Sequence, residues 1–156
     1  MQGGVDLQND DNKSLYEESI KYGALRELIA AKLFIKQGYT VSVPSMSARY
    51  DFIAEKFPVI IRVQIKPLVS IKQKNSAKST DGEWCIRPWS FAKGKRKPYS
   101  IEDCNVIMGV DIETGDYAII PIDEVSGNAT EYKITDYRGR NRTKYLNPID
   151  FDDVCG

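Results

Sequence analysis

Residues 59–66 run Val, Ile, Ile, Arg, Val, Gln, Ile, Lys, and no feature of the chain constrains its fold more than this alternation. With side chains pointing to opposite faces of a pleated strand in turn, Val59, Ile61, Val63 and Ile65 share one face, while Arg62, Gln64 and Lys66 share the other. That is a strand with one face in a core and one polar face. The run from Tyr50 to Glu55 reads as a second strand, and Glu-Lys-Phe-Pro at 55–58 is a short connection with Pro58 at the entry to the next strand. The two form a hairpin. If Glu55 faces Ile60, counting back in antiparallel register puts Asp51 opposite Gln64, and a one-residue slip would send Asp51 to the other face.

A further polar group comes from upstream. Ser14 with Glu17 three residues later is a capping-box signature and Gly38 is a stop signal, so the spacing predicts one long helix over 15–37. Ile20, Ala24, Ala31 and Phe34 stand at helical spacing from Glu27, which places this carboxylate on an apolar stripe. A charged group there needs a cation or a metal as partner, since desolvating it alone is expensive. An ordinary ion pair with Lys or Arg satisfies that need as well as a metal does. Lys66 taken alone reads equally well as a lysine at the surface end of a strand.

A helix carrying Glu27, the Gln-Gly-Tyr-Thr-Val stretch at 37–41, then Asp51 and a Gln-Xaa-Lys ending at Lys66, together resemble the PD-(D/E)XK nuclease superfamily. Within it the chain is most similar to the small homing endonucleases encoded in bacterial group I introns, and more distantly to Holliday junction resolvases. The likeness runs from about Tyr22 to Val125, through Tyr-Ser-Ile-Glu-Asp-Cys-Asn at 99–105 and Ile-Ile-Pro-Ile-Asp-Glu-Val at 119–125. Tyr50 stands where that pattern has proline. Gln64 stands where it has its second acid, a variant that resembles the homing-endonuclease branch.

The resemblance implies a restriction-endonuclease-like core of class α+β, a central mixed sheet flanked by helices. It implies Glu27, Asp51, Gln64 and Lys66 as catalytic residues, with Mg²⁺ as cofactor and Mn²⁺ as its substitute. Asp51, Gln64 Oε1, the Ile65 backbone carbonyl and Glu27 are the implied metal ligands, and oxygen donors of this kind suit a hard cation. Lys66 would orient the attacking water or stabilise charge developing on the phosphate. The function implied is site-specific double-strand cleavage of DNA. A structure-specific nuclease such as a junction resolvase, or a DNA-binding module that keeps the fold without the chemistry, remains an alternative.

Composition narrows the field further. At 156 residues and 42% hydrophobic content the chain suits one compact domain, expected over 13–156 behind a disordered segment at 1–12. No run approaches the ~18 apolar residues of a membrane span, and the polar start lacks a secretory signal, so a cytoplasmic protein with no membrane partner is expected. There is no histidine, which excludes a Ser/His/Asp triad, and Cys85, Cys104 and Cys155 lack zinc-site spacing.

Net charge is zero, but the charge is segregated: residues 61–100 carry +8 and residues 101–135 carry −7. Basic insertions are expected at about 70–98 and 136–146. Lys72, Lys74, Lys78, Arg87, Lys93, Lys95, Arg96 and Lys97, with Trp84, Trp89 and Tyr99 interleaved, are candidate contacts to double-stranded DNA. Arg138, Arg140, Arg142 and Lys144 stand at alternating positions and are candidates for reading guanine edges. The stretches at 72–82 and 92–98 read as loops, with short strands expected near 39–43, 84–87, 105–111, 117–122 and 131–134. Ser100 is expected to cap a brief helical turn through Asp103. Breaking both strands of a duplex needs two such sites, so a homo-oligomer is expected, either a dimer or a tetramer built as a dimer of dimers.

Overall fold

The computed structural model describes residues 7–71, 83–125 and 132–134. Its one α-helix among these, α1 (Leu7–Lys36), is 30 residues long and begins before the Ser14/Glu17 box, which therefore lies inside the helix and does not start it. Residues 7–12, expected to be disordered, lie within its first turns. The other end follows expectation. Gly38 takes φ +90°, the Tyr39 N–H donates to Phe34 O at 3.1 Å and the Gly38 N–H to Ile35 O at 3.0 Å. This is a Schellman stop, and its usual apolar contact is present as an edge-to-face pair of Phe34 and Tyr39 with centroids 5.3 Å apart.

Strands β1 (Thr40–Ser42), β2 (Phe52–Lys56), β3 (Val59–Pro67), β4 (Val69–Ile71), β5 (Glu83–Ile86), β6 (Trp89–Ala92), β7 (Lys95–Pro98), β8 (Val106–Val110), β9 (Tyr117–Pro121) and β10 (Tyr132–Ile134) follow in sequence. The central sheet has the order β1-β2-β3-β8-β9, antiparallel except for the parallel pair β3 and β8. It is an α+β chain with a mixed sheet, as expected. Glu55 pairs with Ile60 and Phe52 with Val63, so the hairpin keeps the register inferred from sequence and Asp51 stands next to β2 at the level of Gln64.

The two faces of the sheet have separate cores. Ile61, Val63 and Ile65 pack with Ala30 and Phe34 of α1, Phe52, Val106 and Met108 on one side. On the other, Ile107 and Ile120 meet Leu68, Ile86, Tyr99 and Cys104. All five residues of β8 are buried, as a strand covered on both faces requires. Only the first face is covered by a helix among the described residues. Residues from the β4–β5 layer and the 99–104 segment cover the second, where flanking helices were expected. Tyr117 and Ile119 belong to the core, whereas Tyr16 and Tyr22 are exposed.

Two further expectations need correction. Residues 92–98 are not a loop: β6 and β7 pair as a hairpin from Trp89 with Pro98 to Ala92 with Lys95. Lys93 at φ 52° and Gly94 at φ 74° supply the two left-handed residues that a tight two-residue turn demands. The apolar stripe around Glu27 is also partial. Phe34 is buried and Ala31 half-buried, but Ile20 and Ala24 are exposed, and so is Glu27 itself. The helix runs past the sheet here, which leaves Glu27 at the rim of the core instead of inside it.

Candidate active site

Asp51 closes the polar end of the hairpin. Its backbone N–H donates to Val63 O at 2.8 Å, the last rung of the β2–β3 ladder in this direction. One residue pair further on, the Ile65 N–H donates at 2.7 Å to the Asp51 Oδ2 atom, so the carboxylate occupies a place that a strand backbone would otherwise fill. That bond fixes one oxygen of Asp51 and leaves the other for a ligand.

Glu27 reaches this carboxylate from α1 through a shared side-chain hydrogen bond. Burial and then the Asp51 charge push the Glu27 carboxyl above its ordinary range. Burial also raises Asp51, while the Ile65 N–H, the Lys66 charge and the bond from Glu27 hold it down. The two carboxyls are thus coupled, each raised first by its own burial, with the hydrogen bond between them raising Glu27 and lowering Asp51. Two carboxylates held in contact form a place where a cation can be bound.

Gln64 is 8% exposed, the buried polar side chain of the described residues, and its Nε2 donates to Ile65 O at 3.1 Å. The amide and the carbonyl expected to act as ligands are thus adjacent. Rotating the amide would bring Oε1 next to the Ile65 oxygen. Lys66, on the same strand face, is half-buried, and desolvation lowers its pKa against the opposing pull of Asp51, with Arg49 adding to the lowering. Arg62, the third polar residue of this face, is turned away. Its guanidinium donates to Ile101 O and Glu102 O, each at 2.7 Å, and clamps the turn before β8.

Two further residues meet here that sequence reasoning passed over as site residues. The Arg49 guanidinium lies 4.4 Å from the Tyr99 ring centroid, and the Lys66 Nζ lies 5.1 Å from the same centroid. Arg49 also forms a 2.7 Å ion pair with Asp103. Arg49 and Tyr99 are fifty positions apart, so no local pattern joins them; the one available signal was an arginine two residues before Asp51.

Among the described residues no cluster of three or more Asp, Glu, Cys or His could hold a metal. The set that is present, two carboxylates with an amide and a backbone carbonyl, is made of oxygen donors and fits a hard divalent cation. Lys93, Lys95, Arg96 and Lys97 are exposed on the β6–β7 hairpin, with the Arg96 guanidinium 4.5 Å from the Trp89 ring centroid. Arg87 is exposed between β5 and β6. Lys72, Lys74, Lys78, Arg138, Arg140, Arg142 and Lys144 lie outside the described residues. No helix of the described residues is long and apolar enough to cross a membrane.

Residues 18–152 match the family model described as PD-(D/E)XK endonuclease. Among solved structures the chain is similar to a bacterial homing endonuclease, I-Ssp6803I, with a TM-score of 0.59 and 19% identity, covering 76% of this chain and 80% of that one. At that identity the likeness shows the fold, a restriction-endonuclease-like core. No curated protein sequence matches the chain.

Proposed function

Because the chain belongs to the PD-(D/E)XK endonuclease family, and so is a nuclease acting on phosphodiester bonds, we propose that it is a Mg²⁺-dependent, site-specific DNA endonuclease of the homing type. In this reading it makes double-strand breaks as a homo-oligomer. The observation that carries the reading is the meeting of Glu27, Asp51, Gln64, Ile65 and Lys66 at one end of the β2–β3 hairpin, with an exposed basic hairpin on the same chain. The solved bacterial homing endonuclease of the same fold supports it.

Asp51, Gln64 and the Ile65 carbonyl would hold the cation, with Glu27 beside them. When bound there, the cation supplies Lewis-acid polarisation of the phosphate. The chain does the rest. The Ile65 N–H keeps Asp51 in one rotamer, so a ligand oxygen is in place before DNA arrives. Lys66 Nζ donates to a phosphate oxygen as negative charge develops on it, in a half-buried position where that interaction is stronger than in water. Glu27, hydrogen-bonded to Asp51 at the edge of the site, would accept a hydrogen bond from the attacking water. Gln64 makes the site one negative charge poorer than an acid would, so affinity for the cation rises once a DNA phosphate contributes its own oxygen.

Selection of cleaved sites from a randomised duplex library in Mg²⁺, with Asp51→Asn and Lys66→Ala as controls, tests the reading. Discrete sites cut by the wild type, and at least about 100-fold slower cutting by both variants, are expected. Cutting confined to four-way junctions would replace the homing reading with a resolvase one. Variants as fast as the wild type would remove Asp51 and Lys66 from the chemistry.

A further inference from the structure

We propose that Tyr99 is the positioning residue for Lys66, and that Arg49 locks Tyr99 together with the base of the β6–β7 hairpin into one unit with the active site. The inference rests on Lys66 serving the nuclease reaction as described above.

A lysine at the end of a strand has a long flexible stem, and an ammonium free to wander gives little help to a transition state. Here the Nζ lies 5.1 Å from the Tyr99 ring centroid, within the range of a cation–π contact. The ring itself cannot wander. Tyr99 is 7% exposed and packs in the second core, its N–H donates to Pro88 O at 3.1 Å, and its hydroxyl is hydrogen-bonded to Ser90. A rigid aromatic face is thus set beside a flexible cation.

Arg49 ties the same ring to the hairpin. With its guanidinium 4.4 Å from the Tyr99 centroid, it donates to Asp103 Oδ2 at 2.7 Å, Ser90 Oγ at 3.2 Å, Lys97 O at 3.0 Å and Pro98 O at 3.2 Å. Ser90 and Lys97 are a cross-strand pair of the hairpin. The arginine thus holds both strands of the basic ribbon at its base, two residues before Asp51. A load placed on the ribbon by DNA is carried to Arg49 and Tyr99, and through them to Lys66 and Asp51. A core tyrosine with no such role would need neither the arginine nor the lysine at its ring.

The test compares Tyr99→Phe, which keeps the ring, with Tyr99→Leu, which keeps apolar bulk and loses it. Steady-state cleavage in Mg²⁺ should give Tyr99→Phe a kcat within about threefold of the wild type, and Tyr99→Leu a kcat lower by about 10- to 100-fold with KM nearly unchanged. Arg49→Lys, which keeps the charge but cannot make the forked contacts, should also lower kcat. A second readout does not depend on cleavage. In ¹³C-lysine-labelled protein the Lys66 Hε resonances, assigned with Lys66→Arg, should be shifted upfield by the ring in the wild type and Tyr99→Phe, and return to the position of an exposed lysine in Tyr99→Leu. A wild-type kcat in Tyr99→Leu, or unshifted Lys66 resonances in the wild type, would overturn the proposal. A wild type that cuts no DNA but keeps the shifted resonances would instead defeat the nuclease role given to Lys66, and leave the placement of its side chain standing.

Discussion

Asp51 works against the stability of the fold it belongs to. Burial raises its pKa above the ordinary carboxylate value, so the folded chain binds a proton there more tightly than the unfolded chain does. The sign follows: the cost of the buried charge is absent below the unfolded value near pH ~4 and grows as pH rises through the folded one, so stability from this group falls toward neutrality. Asp51→Asn keeps an oxygen for the Ile65 N–H and removes the charge. We therefore expect a variant that cleaves at least about 100-fold more slowly and melts higher than the wild type at pH 7, with each 1 kcal/mol relieved appearing as about 2–4 °C in Tm, and with the gap closing as pH is lowered toward ~4. Calorimetry at pH 4 and pH 7 measures it. A lower Tm for Asp51→Asn at pH 7 would mean that the Lys66 and Ile65 partners more than offset burial.

The elements differ in how far they were legible. β2 and β3 were, because the pleat forces Gln64 and Lys66 to one side and the short connection after Glu55 leaves little freedom of register. Gly38 marked the end of α1, since a left-handed residue is what a helix stop needs. The β6–β7 hairpin was not legible: Lys93-Gly94 lacks the Asn or Asp that usually marks such a turn, and the all-polar Lys95-Arg96-Lys97 of β7 offers no apolar alternation to answer Trp89 and Phe91 of β6, the strands being held by cross-strand pairs such as Trp89 with Pro98 and Phe91 with Arg96. Nor was the rim position of Glu27, which depends on where the sheet ends beneath the helix. The packing of β8 was readable only in part. The strand expected near 105–111 gives no sign that Gly109 must stay small, but a Cβ there would stand 2.6 Å from Ile86 Cδ1 and 3.3 Å from Leu68 Cβ. Ile86 is itself fully buried and has nowhere to retreat. Gly109→Ala should cost about 1–3 kcal/mol of stability, read as a drop of several degrees in Tm, with the proposed metal ligands unaltered. An unchanged Tm would mean that the second core has slack where β5 crosses β8.

At the scale of the molecule the chemistry described for one chain breaks one phosphodiester bond. Opposite strands of a duplex run antiparallel, so two sites related by a two-fold axis are the simple way to meet both. A single chain has no second copy of Asp51 and Lys66 to offer. Tyr16 and Tyr22 on α1 are exposed and free to meet another subunit, whereas Tyr117 and Ile119 are committed to the core. The consequence is a dependence on concentration. With supercoiled plasmid carrying one recognised site, dilute protein should give mainly nicked circles that later become linear, since a lone subunit cuts one strand and leaves. Concentrated protein should give linear product with little nicked intermediate, and the crossover should fall at the concentration where sedimentation shows subunits associating. Adding an excess of Lys66→Ala subunits at the higher concentration should restore nicking, because mixed assemblies then bind the site with one active centre. Linear product formed directly at concentrations where the chain sediments as a monomer would show that one subunit serves both strands in turn, and would remove the need for a partner.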